Sequence, residues 1–252
     1  MAEGDTILRA KRRLEALVGQ PLGVSAPNPR GQAAGVGRLD GLTLGRVDAR
    51  GKHLLLCFGD VVLHSHLGMN GSWHVYPGGA RWRRPRAGAW AVLEGEGHVA
   101  AQFGGPTLRI LSTARVALDP QLSRLGPDIL GADFEADRVV IAFRAADQSR
   151  LIGEIVLDQH LVAGIGNIFK NESCFAAGID PWRPIGSLSD EQIREVLSAA
   201  REQMLAAVAG GGRKAFAVYG RRGPCIRCAG RIRSRGQGDS NRITWWCEGC
   251  QS

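Results

Sequence analysis

The stretch PCIRCAGRIRSRGQGDSNRITWWCEGCQS, residues 224–252, decides how the chain is built at its C-terminal end. Cys225 and Cys228 form one CxxC pair and Cys247 and Cys250 a second, with 18 residues between them. A CxxC knuckle offers two thiolates from one tight turn, and structural zinc takes four such ligands in a tetrahedron. Two knuckles facing each other make a four-cysteine zinc ribbon whose intervening residues form a β-hairpin. Ile243, Thr244, Trp245 and Trp246 favour a strand, and they follow a turn-rich tip, Gly236 to Asn241. The tip and its flanks, residues 227–242, carry Arg227, Arg231, Arg233, Arg235 and Arg242 against a single acid, Asp239, a balance suited to nucleic acid. A disulfide pair or a redox CxxC is the competing reading of the same cysteines.

Composition bounds the rest. The chain has 252 residues, enough for one large or two moderate domains, and a net charge of +8 that favours a polyanionic partner. No apolar run approaches the roughly 20 residues of a membrane span, and the N-terminus has no apolar signal core. No membrane partner is expected, and a reducing cytoplasm fits the cysteines. Cys57 and Cys174 lie in apolar contexts and read as buried free thiols.

From the N-terminus, MAEGDTILRAKRRLEALVG places Ile7, Ala10, Leu14, Leu17 and Val18 on one helical face closed by Gly19. Ala2 is small, so loss of Met1 is expected, which leaves Ala2 with a free α-amine. Residues 22–120 alternate short apolar runs with Gly and Pro turns, the pattern of an antiparallel sandwich or barrel. The expected strands include Leu42–Val47, His53–Phe58, Val61–His66, Ala89–Leu93 and Ala114–Leu118. Arg81–Arg86 (RWRRPR) is a basic loop, read either as a phosphate contact or as a solvated loop.

Helical patterning begins at Leu122. Ser189 and Gln192 make a capping box for a helix over about 190–208. Before it, Val162–Gly166 forms a tight turn ahead of Asn167, whose free backbone N–H groups suit an anion, although ordinary helix pairs share such turns. Ala209–Arg222 reads as a flexible, basic connector. The fold class is therefore α+β: a β-sandwich over 1–120, a helical domain over 121–220 and a zinc-ribbon finger over 221–252.

Six segments in order carry a resemblance: AEGDT at the N-terminus, GKHLLL with Lys52, HSHLGMNGSW, LSRLGPDIL, LDQHLVAGIGNIFKNE, and VYGRRGPCIRC…NRITWWCEGCQ. Together they resemble the bacterial formamidopyrimidine-DNA glycosylase / endonuclease VIII family of DNA repair enzymes. The resemblance implies a base-excision glycosylase with abasic-site lyase activity, acting through a Schiff base on the N-terminal amine and β,δ-elimination. Its helical domain would hold a helix-two-turn-helix, and one structural zinc would sit on Cys225, Cys228, Cys247 and Cys250. The implied catalytic residues are Ala2 as nucleophile, Glu3 as proton shuttle and Lys52 as a positive charge at the sugar-phosphate. The implied DNA contacts are Met69 as the wedge filling the place of the extruded base, and Asn167 and Arg242 on the phosphates. Damaged DNA, duplex or single-stranded, is the implied partner of a monomeric, nucleoid-associated protein.

One residue departs from the family pattern: Ala2 stands where proline is usual. A primary amine gives an imine that must be protonated to act as an electron sink, whereas proline gives a permanently charged iminium. Catalysis is expected to survive, because an α-amine with a pKa of roughly 8 is partly neutral at pH 7 and a lysine at about 10.4 is not. The family's purine-directed branch carries a DPRRFG-like segment, and VAAQFGGPTLRIL here lacks it. Gly210–Val218 also reads as a short loop. Both features favour the endonuclease VIII branch and oxidised pyrimidines. Two other classes compete: a damage-binding protein of the same fold with little or no catalysis, and an unrelated zinc-ribbon protein. The second leaves AEGD and LVAGIGN unexplained.

Overall fold

The computed structural model describes residues 2–213 and 215–252, which fall into two compact units, 1–124 and 125–252. The first unit opens with helix α1 (Gly4–Leu14), continued by a 3-10 turn over Glu15–Leu17. Ile7, Ala10, Leu14 and Leu17 are buried, as their spacing requires. Strand β1 (Gly23–Ser25) and the short helix α2 (Pro29–Ala33, capped by Asn28) follow. Then come β2 (Arg46–Arg50), β3 (His53–Phe58), β4 (Val61–His66), β5 (Ser72–Pro77), β6 (Ala91–Glu94), β7 (His98–Phe103) and β8 (Thr107–Ser112).

These strands build two antiparallel four-stranded sheets, ordered β1-β6-β7-β5 and β2-β3-β4-β8. One buried cluster joins Val24, Trp73, Ala91, Leu93 and Ala100 of the first sheet to Val47, Leu54, Leu56, Leu63 and Leu108 of the second, with Ile7 and Leu14 of α1 between them. The sheets therefore face each other as a sandwich, with period-2 alternation deciding which side chains enter. The opposite face of β3, β4 and β8 carries His53, His64, His66 and Arg109, paired in register away from that core.

Two strand expectations change. Residues 42–44 do not lie in β2; they bond irregularly to 19–22, through Gly19 N–H to Leu44 O and Leu22 N–H to Leu42 O. The run expected as a strand over 114–118 is helix α3 (Thr113–Leu118). β8 loses its partner at Ser112, which pairs with Val61 at the start of β4. Ser112 then caps the helix by accepting the Arg115 N–H. Leu118 is 79% exposed, so no sheet face was available to a strand there.

Helix α4 (Pro120–Ser123) starts at Asp119, which accepts the Gln121 N–H, with Pro120 in the first turn. The second unit holds α5 (Ala136–Ala145), α6 (Ile152–Ile155), α7 (Asn167–Ala176) and α8 (Asp190–Ala209), then β9 (Ile232–Gln237) and β10 (Arg242–Cys247). The Ser189–Gln192 capping box forms at the start of α8, and Ile193, Val196, Leu197, Ala200 and Met204 are buried. The β9–β10 hairpin packs on α7 and belongs to the same compact unit as the helices. Among the described residues no helix is long and apolar enough to cross a membrane.

Candidate functional site

In the first unit the geometry converges on the end of β4. The backbone nitrogen of Ala2 donates to Gly68 O at 3.0 Å, which lays the N-terminus against the turn after His66. Gly68 has φ +57, and an added Cβ would meet Pro106 at 2.7 Å, so glycine is required there. The Gly71 N–H closes the turn on Leu67 O at 2.8 Å. This lifts Met69 to its tip, where it is 59% exposed, an uncommon setting for methionine. Glu3 is the N-cap of α1 and is fully buried, with its carbonyl accepting from the Thr6 and Ile7 N–H groups.

Lys52 occupies the two-residue turn joining β2 and β3, where Arg50 pairs with His53 and Gly51 takes φ +55. Its positive charge acts on both His53 and His66, which places it at the same strand end. Ala2, Glu3, Lys52 and Met69 thus come from three distant stretches of chain to one corner of the sandwich.

The sequence reading missed the side chains beneath that corner. His53 Nδ1 lies 2.9 Å from His64 Nε2, and Arg109 Nε donates to His64 Nδ1 at 3.1 Å. Arg109 Nη2 donates to Asp119 Oδ2 at 2.6 Å. Burial, helped by the charges around them, pushes His53 down to about 3 and His64 down to about 4, and lowers His66. Both partners in the 2.9 Å contact are therefore neutral at pH 7. The i, i+2 spacing of His64 and His66 was the available signal, since it puts both rings on one sheet face.

The basic loop 81–86 is partly committed to packing. Trp82 stacks on Tyr76 at 5.3 Å, Arg84 lies over Phe103 at 4.6 Å, and Arg86 pairs with Glu94 at 2.9 Å.

In the second unit α7 carries the hairpin. Gly166 is the N-cap of α7, and Asn167, the first helical residue, is 5% exposed. Its Nδ2 donates to Ile243 O at 2.9 Å, while its Oδ1 is buried without a hydrogen-bond partner. Asn171 Oδ1 accepts the Trp245 N–H at 2.7 Å, and the fully buried Lys170 donates to Gln237 and Thr244. Asn167 therefore reaches the strand beside Arg242, and Arg242 is exposed as the first residue of β10, opposite Gln237. Three other arginines of the ribbon have intramolecular work: Arg227 on the Phe175 and Ala176 carbonyls, Arg233 on Glu248, and Arg235 over Trp182 at 3.9 Å.

The stretch before the ribbon is anchored. Glu172 on α7 accepts the backbone N–H groups of Ala217, Val218 and Tyr219 at 2.7, 2.9 and 2.7 Å, and Val218 is fully buried. The expected flexible connector is thus held over 217–219 by a charged acceptor of three donors.

The four cysteine sulfurs of the ribbon lie within 4.8 Å of one another, with Cys225–Cys250 at 3.7 Å and Cys228–Cys247 at 3.5 Å. A disulfide needs about 2.05 Å, so none is formed here. A zinc tetrahedron with Zn–S of about 2.3 Å has sulfurs about 3.8 Å apart, and the donor set fits it.

Comparison with known proteins shows the family. Residues 1–116 match the family described as "Formamidopyrimidine-DNA glycosylase N-terminal domain", and residues 125–217 match "Formamidopyrimidine-DNA glycosylase H2TH domain". The chain is 38% identical to "Probable endonuclease 8 2" of Streptomyces coelicolor over 100% of this chain and 94% of the relative. It is 35% identical to "DNA-(apurinic or apyrimidinic site) lyase Nei2" of Mycolicibacterium smegmatis over 100% and 99%. Among solved structures, Lactococcus lactis formamidopyrimidine-DNA glycosylase bound to abasic-site DNA superposes with a TM-score of 0.83 at 25% identity, covering both chains fully. The Thermus thermophilus protein gives 0.80 at 28%, covering 99% and 98%.

Proposed function

The chain belongs to the formamidopyrimidine-DNA glycosylase family, and on that premise we propose that it excises oxidised bases from DNA and cuts the strand at the abasic site. The observation that carries this reading is the lodging of Ala2 against Gly68, beside buried Glu3 and the exposed Met69 turn. Loss of Met1 would convert the Ala2 nitrogen from an amide into a nucleophilic amine fixed at that corner.

The steps follow from the groups present. The neutral α-amine attacks C1′ of the deoxyribose, the base departs with the bonding pair and picks up a proton, and the attacking nitrogen sheds one, leaving the ring still closed. Loss of the ring oxygen from C1′ gives an imine on Ala2, which becomes an electron sink once protonated. Removal of a C2′ proton then expels the 3′ phosphate, and a second elimination expels the 5′ phosphate. Glu3 supplies and withdraws protons in this sequence, its burial keeping it close to the sugar rather than in bulk water. Lys52 sets positive charge beside the departing oxygens, where it stabilises developing anions. Met69 fills the space left by the extruded base, a role suited to an exposed, flexible apolar side chain. Asn167 and Arg242 hold the phosphates from the α7–hairpin unit. Because Asn167 Nδ2 is directed at Ile243, its DNA contact runs through its helix-terminal setting and the strand it fixes.

The four ribbon cysteines would hold zinc, which staples the two knuckles and so sets the hairpin bearing Arg242. Oxidised pyrimidines are the proposed substrates. In place of the purine-directed DPRRFG-like segment, this chain has β7, a tight Gly104–Gly105–Pro106 turn and β8.

The test is incubation with a duplex holding one preformed abasic site, followed by analysis of the ends. The reading requires 3′- and 5′-phosphate termini flanking a one-nucleotide gap. Tight binding with an uncut strand would make this a damage-binding protein.

A further inference from the structure

The outward face of the β2-β3-β4-β8 sheet carries an ordered row of polar groups under the Lys52 corner. His53 lies opposite His66, and Arg109 lies opposite His64. Their contacts run Asp119 Oδ2 to Arg109 Nη2 at 2.6 Å, Arg109 Nε to His64 Nδ1 at 3.1 Å, and His64 Nε2 to His53 Nδ1 at 2.9 Å. The His53 and His66 ring centroids are 4.7 Å apart. Arg50 faces His53 from β2, and Thr107 faces His66 from β8.

This row has a direction. A guanidinium has five N–H donors and no acceptor, so His64 Nδ1 must offer a lone pair to Arg109. A neutral His64 then carries its proton on Nε2 and donates it to His53 Nδ1. His53 in turn must carry its own proton on Nε2. Asp119 fixes the arginine, at 8% exposure, and the arginine fixes both tautomers. His64 is fully buried, and the nearby Arg109 charge opposes a second proton on either ring. The Lys52 ammonium consequently sits beside neutral rings rather than imidazoliums.

We propose that Asp119, Arg109, His64 and His53 form a polarised hydrogen-bond chain that holds His53 as the neutral Nε2–H tautomer beside Lys52, so that His53 offers that ammonium neither a lone pair nor a positive charge during elimination. The proposal rests on the lyase reading given above. It assigns no proton transfer to the histidines. Their work is to keep the local charge and the ring orientation constant while Lys52 meets the phosphates.

Two measurements test it. Long-range 1H–15N NMR of the 15N-labelled full chain reads each imidazole tautomer directly. The expected result is Nε2–H for both His53 and His64 from pH 5.5 to 8, with Nδ1–H populated at His64 in Arg109→Met. Finding Nδ1–H on either ring of the unmodified chain overturns the proposal. The second measurement compares single-turnover cleavage of abasic DNA with borohydride-trapped adduct. In Arg109→Met and in His53→Gln, cleavage should fall about tenfold while the trapped fraction stays within twofold. Arg109→Met should also acquire a new loss of rate below about pH 6.5, where its histidines now take up protons. Equal loss of adduct and cleavage, or none of either, overturns the assignment. If Arg109→Met fails to fold, His53→Gln decides by the same ratio. An unmodified chain that forms no adduct defeats the lyase reading and the role given to His53 with it, while the NMR result still reports the chain of tautomers separately.

Discussion

Glu172 Oε1 accepts the backbone N–H of Val218 at 2.9 Å, so a carboxylate on α7 fixes the segment that leads into the ribbon. The same carboxylate takes the Ala217 and Tyr219 N–H groups, at 8% exposure of the residue. Hydrogen bonds to an ionised acceptor are roughly twice as strong as neutral ones. Glu172→Gln leaves one oxygen for two of the donors and turns an amide N–H₂ toward Ala217. The expected cost is about 2–4 kcal/mol in a urea unfolding experiment, with the α8 capping box intact. A loss below about 0.5 kcal/mol would show that the clamp does not bear on stability.

The cysteine cluster predicts metal dependence. The purified chain should hold one zinc, and a strong chelator should lower its melting temperature by about 10 °C or more, because binding energy at such a site is folding energy. Val218 and Phe175 pack with Cys225 and Cys247, so loss of the metal should also loosen the Glu172 clamp. A metal-free chain with reduced thiols and the same melting temperature would contradict this.

The lowered histidines predict a pH dependence with a definite sign. His64 titrates at about 4 in the folded chain against an ordinary value of 6.5. The unfolded chain therefore binds more protons below pH 6.5, and stability is full above that pH and falls as pH drops from 6.5 toward 4. The burial-driven shift of His64 alone corresponds to a loss of about 2 kcal/mol between pH 7 and pH 5. His53, lowered to about 3, adds to it in the same direction. Denaturant unfolding of the parent and His64→Leu across that range checks the claim: the variant should show a shallower slope.

How much of this was legible before the structure depends on the kind of signal. The ribbon cysteines, the α8 capping box and the α1 stripe of Ile7, Ala10 and Leu14 are local patterns, set by a few residues at fixed spacing, and the structure carries each of them. The convergence of Ala2, Lys52 and Met69 was reachable through family resemblance, since no spacing brings residues so far apart in sequence to one corner. The Asp119–Arg109–His64–His53 row was illegible because strand register, which pairs β4 with β8 across more than 40 residues, decides it. Glu172 reads as an ordinary helix glutamate until the 217–219 backbone is seen folded onto it. The helix over 113–118 was lost for the opposite reason, since its apolar spacing suited a strand and the end of the β4–β8 ladder at Ser112 is a tertiary fact.

The central claim is that the Ala2 amine is the nucleophile, and borohydride trapping on abasic-site DNA, followed by mass spectrometry of the N-terminal peptide, tests it most directly. The account predicts a covalent sugar adduct on the α-amine of Ala2 in a chain that has lost Met1. An adduct on Lys52, or no adduct from protein that binds the abasic DNA tightly, would contradict it.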